Sequence, residues 1–109
     1  MSDIVYLALC TCPDQASAEA LADAVVNQGL AACVNILPGV VSVYRWEGKI
    51  AKDKEVLLLM KTTQPRFAQL AAEIEKQHPY DVPEVIAHPI VAGLDNYLEW
   101  VRTCTRMQD

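Results

Sequence analysis

The stretch Ile4-Val-Tyr-Leu-Ala-Leu-Cys10 decides the fold. It is apolar at every position, the pattern of a strand covered on both faces, which places it at the centre of a sheet. Pro13 and Asp14 end it, and Asp14 can cap the free amides of a following helix. Ala18, Leu21, Ala22, Val25 and Val26 mark one apolar face of that helix, and Gly29 closes it in a left-handed conformation. A long extended segment, Ala32 to Trp46, follows, interrupted by Pro38-Gly39, a pair that removes a ladder donor and permits a bulge. After a turn at Glu47-Gly48 and a polar segment beyond Ile50, the run Val56-Leu-Leu-Leu-Met60 reads as a second buried strand, closing a hairpin.

Thr62 and Thr63 offer N-caps and Pro65 suits a first helical turn; Phe67, Leu70, Ala71 and Ile74 give that helix its buried face. The loop His78-Pro-Tyr-Asp-Val-Pro-Glu84 leads to an extended run, Val85 to Val91, whose Pro89 argues for a sheet edge. Leu94, Tyr97, Leu98 and Val101, with Asp95 near the start, mark a C-terminal helix. The expected order is β-α-β-β-α-β-α, an α+β ferredoxin-like arrangement with one added helix, forming a single domain over residues 1–109. Right-handed crossovers put both crossover helices on one face of the sheet. The other face carries apolar side chains too, and one terminal helix cannot cover it, so the chain is expected to pack against copies of itself.

With 52% hydrophobic and 21% charged residues, the chain is too apolar for disorder and suits an oligomer. The net charge is −5, and five of the nine basic residues lie between Arg45 and Lys61, interleaved with acids, so no contiguous positive surface invites nucleic acid. The start, Met-Ser-Asp, has no basic export region, and the apolar run after it is too short to span a bilayer. A cytoplasmic location is expected, and four cysteines, at 10, 12, 33 and 104, without C-x-x-C spacing fit a reducing compartment.

Cys10 and Cys12 point to one face if the strand persists, and two thiols with an imidazole suit a soft metal ion; the pair alone is a weak signal, and Pro13 comes directly after it. His78, at a helix end, can serve the last helix carbonyls, or can act with Glu84 across a loop held by two prolines. A second cluster joins Tyr44-Arg-Trp-Glu-Gly-Lys49 at the hairpin with Lys61; aromatic and basic residues together bind an anion or anchor an interface. There is no P-loop, no G-x-S-x-G elbow and no H-E-x-x-H helix, so no reaction is expected.

The segments Leu9-Cys-Thr-Cys-Pro-Asp14, Gly29-Leu-Ala-Ala-Cys-Val-Asn35, Tyr44 to Lys49, Lys61-Thr62 and His78 to Glu84 resemble the CutA family of divalent-cation tolerance proteins, along nearly the whole chain. The resemblance implies a ferredoxin-like subunit in a homotrimer, similar in plan to PII-type signalling proteins. It further implies copper, or another divalent metal ion, held by Cys10 and His78 with Glu84 nearby; Gln77 stands where a second histidine can occur. The expected function is that of a trimeric metal-binding protein of divalent-cation tolerance. Two alternatives remain: a PII-like module holding a small anion in an inter-subunit cleft near Tyr44, Trp46, Lys49, Lys61 and Tyr80, and a structural trimer that anchors a partner protein.

Overall fold

The first strand, β1, spans Val5–Cys12, two residues further than the apolar run. After it come α1 (Gln15–Asn27), β2 (Cys33–Trp46), β3 (Lys49–Thr63), α2 (Gln64–Gln77), β4 (Ile86–Pro89) and α3 (Asp95–Thr105). This is a computed structural model, and it describes residues 2–107; Met1, which begins the stretch read for an export signal, and Gln108 and Asp109, which end the expected domain, lie outside them. The strands form one sheet in the order β2-β3-β1-β4, with every neighbouring pair antiparallel. The architecture is therefore α+β, a four-stranded antiparallel sheet with three helices, and the apolar β1 is interior as its sequence requires.

Local sequence sets the boundaries. Asp14 caps α1, its Oδ1 accepting from the Ser17 amide at 2.7 Å, and Gly29 takes φ 72° after the helix. Pro38-Gly39 produces a register shift between Leu37 and Val40, and Glu47-Gly48 turns the hairpin with both residues at positive φ. Beyond the shift β2 and β3 remain paired to the tip, Trp46 opposite Lys49. The polar segment expected between Ile50 and Val56 is thus strand, because backbone pairing to β2 fixes it whatever its side chains prefer. Thr63 occupies the N-cap of α2 without a side-chain cap bond; its hydroxyl faces that of Thr105 at 3.3 Å, and Thr62 donates to the Leu30 carbonyl at 2.7 Å.

One face of the sheet packs on α1 and α2: Ala8, Cys10, Cys12, Leu58 and Met60 meet Ala18, Leu21, Val25, Leu70 and Ile74 in one buried cluster. Val26, expected on the apolar face of α1, is exposed instead, as are Leu94 and Tyr97 of the C-terminal segment. On the opposite face α3 covers one end only, where Val101 packs with Val5 and Ala32. Leu7, Leu9, Leu57 and Leu59 are half-buried there, while Leu37 and Ile86 remain 49% and 55% exposed. Leu9 stands between Leu59 and Ile86 across the strands, so these apolar side chains form a continuous surface.

Candidate metal centre

Because β1 runs on to Cys12, which pairs with Val56, Cys10 and Cys12 stand two apart on one strand and point to the same face. Both are fully buried under the helices. His78 arrives from α2: its amide bonds the Ile74 carbonyl at 2.8 Å, and Pro79 prevents another turn. His78 is 8% exposed, with ring Nε2 at 2.7 Å from the Thr11 carbonyl oxygen and Nδ1 accepting from the Tyr80 amide at 3.0 Å. An amide only donates and a carbonyl only accepts, so neutral His78 carries its proton on Nε2. The histidine thus ties the end of β1 to the loop after α2, rather than serving the last helix carbonyls.

One ligand atom from each of Cys10, Cys12 and His78 lies within 4.8 Å of the others. Cys10 has its pKa raised, first by the hydrogen bond to Cys12 and then by burial. That of Cys12 is lowered, chiefly because it receives the Cys10 hydrogen bond, with burial opposing. Metal is bound by the thiolate form, so ligation by these sulfurs releases protons. Two sulfurs and one imidazole are the donors that copper and zinc favour. A tetrahedral ion with Zn–S near ~2.3 Å would set its donors ~3.8 Å apart, so the three need to contract by about 1 Å or less, leaving a fourth position for water or another ligand.

Ligation would also cost His78 hydrogen bonds. Through Nδ1 it would displace the Tyr80 amide and keep Nε2–H on the Thr11 carbonyl, the usual orienting arrangement for a metal-bound histidine; through Nε2 it would break the Thr11 bond and, by moving the ring proton to Nδ1, the Tyr80 bond as well. Glu84 is exposed and outside the three-donor group, yet its charge is close enough to help raise the Cys10 pKa. Gln77 does not join the donors; its side-chain amide bonds Glu73.

The remaining candidates are distributed along the hairpin and its neighbours. Tyr80 donates to Glu55 at 3.0 Å, and its phenol is pushed up to about 12, first by burial and then by that carboxylate. Tyr44 donates to Asp53, which raises its pKa too. Trp46 and Lys49 face each other at the hairpin tip, whereas Lys61 is twelve residues along β3, roughly 40 Å away, where it bonds Asn35 and approaches Cys33 Sγ at 3.8 Å. A single chain does not gather these five side chains. The buried Glu55 was not among the expected residues: its position between polar and apolar runs carries no sign of the partner that α2 brings to it.

The family pattern described as CutA1 divalent ion tolerance protein matches residues 6–104. The chain belongs to the CutA1 family. It is 46% identical to the divalent-cation tolerance protein CutA of Thermus thermophilus, over 96% of this chain and 99% of that protein. It is 49% identical to the chloroplastic protein CutA of Arabidopsis thaliana, of which it spans 56%. The crystal structure of CutA1 from Oryza sativa superposes with a TM-score of 0.94 at 42% identity, over 98% of each chain. The CutA1 fold seen there is the one described above, in which α1 and α2 cover the thiol-bearing face of β1. Among the described residues no helix is long and apolar enough to cross a membrane.

Proposed function

We propose that this CutA1 chain binds a thiophilic metal ion, copper or a divalent ion such as Zn(II), as its part in divalent-cation tolerance. The observation that carries this is the convergence of Cys10, Cys12 and His78 within 4.8 Å. Cys10 and His78 are the ligands the family resemblance implies; Cys12 adds a second sulfur from the same strand face. Glu84 acts from outside, its negative charge favouring a cation at the sulfurs. The Thermus thermophilus relative is named for divalent-cation tolerance, which supports the cargo. We assign no reaction, and the tolerance role is one of binding.

The chain works, in this proposal, as a single domain assembled into a homotrimer. Support comes from the surface of Leu7, Leu9, Leu57 and Leu59, which α3 leaves half-covered, with Leu37 and Ile86 at its margins. The four free cysteines favour a cytoplasmic home, and the net charge of −5 disfavours nucleic acid and anionic membranes as partners. The anion-cleft alternative gains no support within one chain, since Tyr44 and Tyr80 are engaged by carboxylates.

The test is competition titration of Zn(II) and Cu(I) against a chromophoric chelator, using the native chain, Cys12→Ala and His78→Ala. Tight binding by the native chain that weakens in both variants supports the site. Equal affinity in all three rejects it.

A further inference from the structure

Cys10 and Cys12 are more than two ligands that happen to be adjacent: they are a dithiol on one strand, facing one way, with their sulfurs within 4.8 Å and the metal position between them. We propose that Cys10 and Cys12 form a reversible disulfide in the presence of hydrogen peroxide, and that this bond closes the metal site. The closing of the site rests on the binding reading above, whereas the disulfide itself does not.

Two residues of antiparallel strand separate Cα atoms by roughly 6.8 Å, at the upper end of the ~4.4–6.8 Å range that disulfides span. The bond can therefore form with a small adjustment, and Cys12 supplies it, because it ends β1 and Pro13 takes the chain out of the ladder. A bond near its geometric limit is also easily reduced, which suits a switch better than a permanent cross-link. Both thiols are buried, so a small oxidant is required, and bulky disulfides such as oxidised glutathione are excluded from them.

The chemistry balances with peroxide as the oxidant. The Cys12 sulfur attacks one peroxide oxygen; the O–O bond breaks, an S–O bond forms, and the other oxygen leaves with the Cys12 proton as water. The Cys10 sulfur then attacks the Cys12 sulfenic acid; the S–S bond forms, the S–O bond breaks, and the hydroxyl leaves with the Cys10 proton as a second water. Two thiols lose two hydrogens and two electrons, and peroxide becomes two waters. Cys12 is assigned the first attack because it ends β1 before Pro13, whereas the Cys10 thiol donates to the Thr11 carbonyl at 3.7 Å. Once joined, neither sulfur is a thiolate, and the ion loses two of its three donors.

The test is peroxide treatment of the purified full chain, followed by alkylation and non-reducing peptide mass spectrometry. The expected result is the loss of two free thiols per chain, with the fragment carrying Cys10 and Cys12 lighter by two hydrogens and restored by dithiothreitol. In Cys10→Ala, Cys12 is instead trapped by dimedone as a sulfenic acid. Retention of both alkylatable thiols, or a native fragment that only gains oxygen, overturns the proposal. The same oxidised sample, offered Zn(II), should bind none until reduced. If the reduced chain binds no Zn(II) but the two hydrogens are lost, the metal reading fails and the disulfide stands.

Discussion

Ile86→Lys should separate the chain from its copies without unfolding it. Ile86 lies on β4 opposite Leu9, and 55% of it is solvent-exposed in a single chain, so a lysine there reaches water and costs the monomer little. In the proposed trimer the same position is covered. Full burial of an isoleucine contributes ~1.5–3 kcal/mol, so completing its burial contributes about 1 kcal/mol per chain, which the variant forfeits. Each copy must also desolvate an unpaired ammonium, at several kcal/mol. Over three copies the penalty is on the order of 10 kcal/mol, or ~7 decades in the association constant. Light scattering coupled to gel filtration should give about 36 kDa for the native protein, three chains of 12.0 kDa, and one chain mass for the variant, with unchanged circular dichroism. A variant of native mass, or a native protein that elutes as a monomer, refutes the reasoning about the open face.

Cys12→Ala should weaken Zn(II) binding by at least ~100-fold, since the loss of even an orienting partner costs ~10–100-fold, and chelator competition measures it. His78→Ala should lower stability by about 2 kcal/mol in urea unfolding at fixed concentration, because the Tyr80 amide loses its partner and the Thr11 carbonyl keeps only the weak Cys10 thiol. Tyr80 has a folded pKa raised to about 12 from the ordinary 10, so it stabilises the fold below pH ~10 and that contribution is lost as pH rises towards ~12. Urea midpoints of Tyr80→Phe should show a shallower decline across that window. Metal binding through either nitrogen of His78 should accelerate hydrogen exchange at the Tyr80 amide, because Nδ1 then holds the ion or the ring proton and no longer accepts; an unchanged rate on metal loading would argue against His78 as a ligand.

Much of this fold was legible because hydrophobic pattern and turn chemistry agree at β1, at Pro38-Gly39 and at Glu47-Gly48. The open face followed from handedness and from consecutive apolar positions, before any contact was known. The Lys49–Glu55 part of β3 was not legible, since its strand state comes from pairing with β2 and not from its own side chains. For the candidate site, Cys10 and His78 were marked by their places at the strand and helix ends. Cys12 depended on whether β1 outlasted the apolar run, which only the pairing with Val56 settles. Tyr44, Trp46, Lys49, Lys61 and Tyr80 were grouped as a cleft between subunits, and within one chain the strands put Lys61 far from Lys49.

X-ray absorption of the Zn(II)-loaded native chain reads the donors at the ion directly. Two sulfur scatterers at ~2.3 Å and an imidazole nitrogen at ~2.0–2.1 Å are expected, with one sulfur lost in Cys12→Ala. A shell of oxygen and nitrogen alone, unchanged in that variant, would contradict the proposed site.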